Sequence, residues 1–105
     1  MKIGNIKTPY GEASVNVGRY PAGGAIYVQL ICEDGEPLGT FSTNLVPYGG
    51  KVEKDEFFVK AWAENEQLVE PMLGSGLFVD TGKVMDYEFV QAPVWKLANH
   101  AHVPM

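Results

Sequence analysis

The chain has 105 residues, of which 46% are hydrophobic and 11% are aromatic. This length and composition exclude a disordered chain and indicate a single domain with a core of its own. Thirteen acidic and eight basic residues give a formal net charge of −5. That balance argues against direct binding to nucleic acid, because contacts with phosphate backbones need clustered Lys and Arg.

Three features of the sequence bear on its localisation. The segment Met1–Lys7 lacks the apolar stretch of a signal peptide, and no apolar run approaches the roughly 18 residues that span a bilayer. Cys32 is the single cysteine, so no internal disulfide can form. We therefore expect a cytoplasmic protein without membrane contact.

Three segments of the first half have the composition and alternation of β-strands: Ala13–Tyr20, Ala25–Glu33 and Leu38–Val46. The second and third are separated by Asp34-Gly35, a strong hairpin cue because both central residues of that turn take positive φ. The pattern predicts a three-stranded antiparallel meander over residues 13–46, with a further edge strand near Lys2–Thr8.

Alternation also predicts the core positions of this meander. Val28, Leu30 and Cys32 share one face of their strand, and we expect them to be buried together with Phe41 of the next strand. Cys32 is accordingly interpreted as a small buried hydrophobe, because nothing in its apolar surroundings would activate a thiolate.

The second half carries both strand and helix signals. A short strand is predicted to end near Val59, and a helix is predicted over Lys60–Leu73 from apolar residues spaced three, four and seven apart. Pro71 conflicts with the interior of such a helix, so we expect the helix to stop at Val69 or Glu70 or to kink there.

Further strands are predicted after the helix. Leu77–Val79 and Tyr87–Val90 are the candidates, with Asp80–Lys83 as the turn between them. Val94–Leu97 continues the last strand after Pro93, which a sheet tolerates at an edge or a bulge.

Together these elements predict an α+β fold, with an antiparallel sheet of five to six strands and one helix packed on a face. Residues 1–97 are expected to form the single domain, and residues 98–105 a flexible C-terminal tail.

No residue pattern indicates catalysis or a cofactor. Lys83 follows a Thr-Gly pair, as at the end of a phosphate-binding loop. However, Leu77 stands where that loop needs Gly, and Val84 where Ser or Thr would hold magnesium. His100 and His102 could contribute to a metal site, but such a site needs three or four ligands. We expect neither an enzyme nor a bound cofactor or metal.

Carboxylates occur in three clusters: Glu33, Asp34 and Glu36; Glu53, Asp55 and Glu56; and Glu64, Glu66 and Glu70. They are open to three interpretations, namely solvated turns and helix faces, acid–base catalysis, or an acidic surface that engages a basic partner. We take them as candidate partner-binding residues, together with Tyr48 in the Pro47–Gly50 loop.

The alternative hypothesis is a small-molecule-binding or enzymatic domain with a pocket near Asn44, Trp62 and Lys83. A closed concave pocket with convergent polar groups would favour this alternative, whereas a convex acidic face would favour a protein partner.

Three pieces of the chain resemble a family of small uncharacterised bacterial proteins carried on plasmids, phages and conjugative transposons: Leu30–Leu38, Ser42–Leu45 and Phe57–Glu66. The family has no assigned function, so the resemblance implies no catalytic residues. It implies a context in which small acidic proteins often inhibit host defence nucleases stoichiometrically. We therefore expect a non-enzymatic anti-defence factor, such as an anti-CRISPR or anti-restriction inhibitor. Its partner would be a host protein with a basic surface, for example a nucleic-acid-binding nuclease, and the chain itself would be a monomer or a dimer.

Overall fold

The computed structural model describes residues 1–98. Its strands are β1 (Lys2–Thr8), β2 (Gly11–Arg19), β3 (Ile26–Cys32), β4 (Pro37–Thr40), β5 (Ser42–Thr43), β6 (Glu56–Val59), β7 (Phe78–Tyr87) and β8 (Val90–Leu97). Its helical segments are two 3₁₀ helices, Val46–Tyr48 and Ala63–Leu68, and the α-helix α1 (Val69–Gly74). The α+β class is confirmed, but the strands of this range number eight and form two four-stranded antiparallel sheets.

The first sheet, sheet A, has the strand order β1-β2-β3-β4 and contains the predicted meander. The predicted edge strand is confirmed as β1, which pairs with β2 so that Lys7 lies opposite Glu12. Val15 of β2 and Leu30 of β3 lie opposite each other and are fully buried. One face of sheet A therefore covers the core, as the period-two pattern requires.

Phe41 is the point at which the chain passes from sheet A to the second sheet, sheet B, whose order is β5-β6-β8-β7. Its N–H donates to the Val28 carbonyl in β3, and its carbonyl accepts from the Lys60 N–H after β6, both at 2.8 Å. The prediction of one strand over Leu38–Val46 is therefore wrong, because β4 and β5 divide this segment between two sheets.

The main core lies between the inner faces of the two sheets. The ring of Trp95 in β8 is 5.3 Å from that of Phe41, centroid to centroid. Val28, Leu30 and Phe41 are fully buried there, as predicted. Cys32 is only half-buried, because it ends β3 next to the hairpin turn and lines the surface there.

The 3₁₀ helix Ala63–Leu68 and α1 follow each other directly, and we call them together the helical segment. Through α1 it contacts β1 and β7, which are edge strands of sheet A and sheet B. It does not start as the α-helix predicted from Lys60. The buried side chain of Asn65 donates from Nδ2 to the Thr40 carbonyl at 2.8 Å, which ties the tighter 3₁₀ turn to β4. Pro71 neither ends nor kinks the helix, because it lies in the first turn of α1, where an N–H has no intrahelical acceptor.

The segment Asp80–Lys83 is a bulge inside β7, so its prediction as a turn is wrong. The pairing register with β8 shifts between Asp80 and Val84. Gly82 takes a φ of 83°, and its N–H donates to Oδ1 of Asp80 at 2.9 Å. Asp80 and Gly82 are residue types common in turns, but here they form a bulge that adds extra residues to strand β7.

The turn of this hairpin is Glu88-Phe89, so the strand predicted over Tyr87–Val90 spans the turn instead. Glu88 takes a φ of 55°, in the left-handed region. Val94–Leu97 is confirmed as the end of β8, and Pro93 lies beside the bulge of β7, opposite Val84.

Candidate functional site

The β1–β2 and β3–β4 turns lie side by side at one end of sheet A. A shallow groove between them is lined by Tyr10 and Glu12 from the first hairpin and by Glu33 and Asp34 from the second. Oδ1 of Asp34 accepts the N–H of Glu36 at 3.0 Å, which fixes the second turn. The first acidic cluster is therefore joined by Glu12, which the sequence did not group with it.

Tyr10 connects this end of the sheet to the helical segment. Its hydroxyl donates to Oε1 of Gln67 at 3.3 Å, although 57 residues separate the two in sequence. Glu66 and Glu70 flank Gln67 along the chain and are exposed. The helical segment that carries Glu66 and Glu70 is thereby tied to the β1–β2 turn.

We call this region the acidic end; it consists of six exposed carboxylates, Glu12, Glu33, Asp34, Glu36, Glu66 and Glu70. Two basic residues lie beside them: Lys7 is opposite Glu12 in the β-pairing, and Lys2 lines a pocket with Glu12 and Glu33. Glu64 differs from these six, because its carboxylate is 3.0 Å from the Lys60 ammonium. Hydrogen bonds from its own backbone N–H and from Lys60 lower the pKa of the Glu64 carboxyl.

The second acidic cluster lies apart from the acidic end and among basic residues. Glu53 and Asp55 are exposed, but Arg19, at the other end of β2, donates to the carbonyl of Lys54 between them at 3.0 Å. Glu56 is only 5% exposed, so it cannot contribute to an exposed acidic surface. The three clusters therefore do not form one continuous face.

Glu56 is buried as an ion rather than as a neutral acid. Its carboxylate accepts from the Glu53 N–H at 2.8 Å and lies 2.8 Å from the ammonium of Lys83. Burial alone would raise the pKa of the Glu56 carboxyl, but these hydrogen bonds and the charges of Lys83 and Lys96 outweigh burial and lower it. Lys83 reaches Glu56 from the bulge of β7.

A second candidate site lies on the outer face of sheet B. The segment between β5 and β6, residues 44–55, crosses this face, and we call it the crossing segment. A groove of about 580 Å³ lies between its 3₁₀ helix, Val46–Tyr48, and the β7–β8 hairpin. Phe58, Val84, Met85 and Val94 are its apolar lining, Gly49 and Gly50 form part of its wall, and Lys51, Lys83 and Asp86 are its charged lining. The groove is open to solvent, which suits a protein segment better than an enclosed small molecule.

Exposed aromatic side chains border this groove. Tyr48 is 63% exposed, in line with its predicted loop position, and its ring lies 5.2 Å from that of Tyr87. Phe89, at the tip of the β7–β8 hairpin, is fully exposed. Sequence reasoning missed Phe89, because Tyr87–Val90 has the composition of a strand and carries no Gly or Asn to mark a turn.

The three residues of the alternative hypothesis have different surroundings. Lys83 lines the groove. Trp62 packs against the apolar cluster beneath the crossing segment. Nδ2 of Asn44 donates to the Ala22 carbonyl at 2.8 Å and its Oδ1 accepts from the Val46 N–H at 3.3 Å. Asn44 thus holds the loop in place.

Within residues 1–98, no three His, Cys, Asp or Glu side chains are arranged to hold a metal ion. His100 and His102 lie outside the described residues. No helix of residues 1–98 combines the length and apolar character needed to cross a bilayer.

No model of a known protein family matches the chain, and no curated protein or solved structure matches it either. The acidic end and the groove on sheet B are therefore the two candidate binding surfaces of residues 1–98.

Proposed function

We propose that the chain is a non-enzymatic protein that acts by stoichiometric binding and presents its acidic end to a basic surface of a protein partner. The supporting observation is that the β1–β2 turn contacts two other elements: it lines one groove with the β3–β4 turn, and its Tyr10 hydroxyl donates to Gln67 of the helical segment. Carboxylates from all three then face solvent together. Such a surface steers association with a partner of opposite charge and excludes partners of like charge.

The first partner to test is a nuclease of host defence. Nucleases bind phosphate backbones through clustered Lys and Arg, and an exposed group of carboxylates can occupy the same basic groove. The resemblance of Leu30–Leu38, Ser42–Leu45 and Phe57–Glu66 to proteins of mobile elements supports a CRISPR effector or a restriction endonuclease within this class.

The test is DNA cleavage by a purified CRISPR effector and by a purified restriction endonuclease, with the chain added in increasing amounts. We expect inhibition of one of them that saturates near one chain per enzyme. The double variant Glu33→Lys, Glu66→Lys should raise the concentration for half-inhibition at least about 10-fold, because two attractive charges become repulsive.

The matched control is the double variant Glu53→Lys, Asp55→Lys. It changes the net charge by the same amount, from −5 to −1, but at the second cluster. We expect this control to inhibit almost as well as the unchanged chain. Equal loss of inhibition in both variants would show a net-charge effect instead of a binding surface, and turnover of substrate by the chain alone would overturn the non-enzymatic proposal.

A further inference from the structure

The tip of the β7–β8 hairpin forms a protrusion, and the outer face of sheet B carries a recess. The protrusion is the hairpin tip Glu88-Phe89, where a fully exposed aromatic ring is held on a left-handed Glu88. A two-residue hairpin turn requires positive φ in one or both of its central residues, and Glu88 supplies it here. The recess is the groove lined by Phe58, Val84 and Val94.

The protrusion and the recess carry charges of opposite sign, Glu88 on the one and Lys51 on the other, while Asp86 also lines the recess. Glu88 stands next to Phe89 at the tip, and Lys51 lines the groove and is exposed. Lys51 makes no hydrogen bond or ion pair with the rest of residues 1–98, whereas Lys83 in the same groove is already paired with Glu56. Lys51 is therefore the lysine of this groove that is left to pair with an incoming carboxylate.

Phe89 cannot fill the groove of its own chain, because its ring is fully exposed. A second copy can supply the ring. We infer that the chain forms a twofold symmetric dimer in which the Phe89 hairpin tip of each copy docks into the groove of the other. Surfaces that carry both halves of a complementary pair are what a closed, self-complementary interface requires.

The spacing along the hairpin is compatible with this arrangement. Val84 and Tyr87 are three residues apart, about 10 Å along β7, and the turn Glu88-Phe89 extends the hairpin beyond Tyr87. Two hairpins laid antiparallel with that overlap place each Phe89 over the partner groove. The stacked Tyr48–Tyr87 pair lies between these points and would meet its symmetry mate near the twofold axis. Exposed apolar side chains such as Val84 would be covered at the same time.

The dimer is independent of the proposed function, since the acidic end lies on other elements. The test is the molar mass by light scattering and analytical ultracentrifugation, from about 1 μM to about 1 mM chain. We expect the mass to rise toward twice 11.5 kDa. Phe89→Ser should raise the dissociation constant at least about 10-fold, because a buried aromatic anchor is lost.

A charge exchange tests the predicted contact directly. Glu88→Lys alone and Lys51→Glu alone should each weaken the dimer, and the double variant should recover most of the affinity. Tyr10→Ser, an exposed aromatic at the acidic end, is the matched control and should leave the dimer unchanged. All these positions are exposed, so circular dichroism should show an unchanged fold.

A mass of one chain up to about 1 mM overturns the inference and leaves the face to a partner of another kind. It is likewise overturned by a dimer that is insensitive to Phe89→Ser, or by a double variant no stronger than the single ones. Loss of nuclease inhibition with an intact dimer would bear on the proposed function alone.

Discussion

Gly50 shows how a single residue lets the chain cross the outer face of sheet B. A Cβ at this position would lie 2.6 Å from Cζ of Phe58 and 2.8 Å from the backbone oxygen of Leu45. No larger residue fits without displacing the loop or the strand beneath it. The groove depends on this close approach, because Gly50 and Phe58 both line it.

Gly50→Ala should therefore lower the free energy of unfolding by about 1–3 kcal/mol, the usual cost of overpacking. Gly18→Ala is the matched control, since a Cβ there meets nothing within 4 Å and its φ is not positive. Denaturant unfolding of the two variants measures the difference. Equal stabilities would show that the crossing segment is free to move away from the sheet.

Ala63 is a residue whose backbone conformation opposes its side chain. It opens the 3₁₀ helix with a φ of 56°, and the left-handed region costs a residue with a Cβ roughly 1–2 kcal/mol. Ala63→Gly should raise the stability by up to about 1 kcal/mol, after the entropy of Gly in the unfolded chain is subtracted. Ala22→Gly, at an exposed position without positive φ, should lower the stability; a similar change in both would contradict the explanation.

At the scale of the elements, the bulge of β7 turns Lys83 toward the buried carboxylate of Glu56. A bulge changes the direction of side chains relative to a regular strand, and here the ammonium reaches across the face of sheet B. The pair is unequal in exposure, because the Lys83 side chain is 55% exposed and that of Glu56 only 7%. Loss of Lys83 would leave a buried carboxylate with one fewer donor.

This pair predicts a dependence of stability on pH. The pKa of Glu56 is lowered in the folded chain from its usual value of 4.5, so the unfolded chain binds more protons in acid. Its contribution is complete above the unfolded pKa and is lost as the pH falls through the folded pKa. Lys83→Met should cost about 1–2 kcal/mol at pH 7, and the difference from the unchanged chain should shrink below pH 4. A constant difference at all pH values would exclude the ion pair as its cause.

The elements predicted correctly are mostly those with local signals. The meander follows from strand alternation on both sides of Asp34-Gly35, whereas the edge strand β1 lies in a polar segment without such a signal. The corner at Phe41 had no such signal, since alternation continues from β4 into β5. The prediction of a turn at Asp80–Lys83 is wrong because the same residue types occur in turns and in this bulge. The 3₁₀ helix depends on the Asn65–Thr40 contact, which propensity does not contain.

The candidate sites were predictable in part. The acidic clusters are visible in the sequence, but which of them meet is decided by the contact between Tyr10 and Gln67, far apart in the chain. The buried carboxylate of Glu56 is paired with Lys83, which lies in the β7 bulge that the sequence predicts as a turn. The groove arises where the crossing segment meets the β7–β8 hairpin, and no local pattern indicates such a meeting.

At the scale of the whole molecule, the charges are distributed unequally. The acidic end collects six carboxylates beside Lys2 and Lys7, whereas the second cluster of three lies among Lys51, Lys54 and Arg19. The proposed dimer would use the face near the second cluster and leave both acidic ends accessible. Two acidic ends on one particle would increase the avidity for a partner with repeated basic sites.

The asymmetry predicts how association depends on salt. With the nuclease inhibited most strongly in the cleavage assay, the association rate should fall steeply between about 50 and 500 mM salt, across which the Debye length shortens about threefold. Glu33→Lys, Glu66→Lys should slow association at low salt and flatten this dependence, because exposed charges mainly steer the encounter. Glu53→Lys, Asp55→Lys should keep the steep dependence, since those carboxylates already lie among cations. Stopped-flow or surface-based kinetics supply the rates; if the unchanged chain associates equally fast at both salt concentrations, the acidic end does not guide binding.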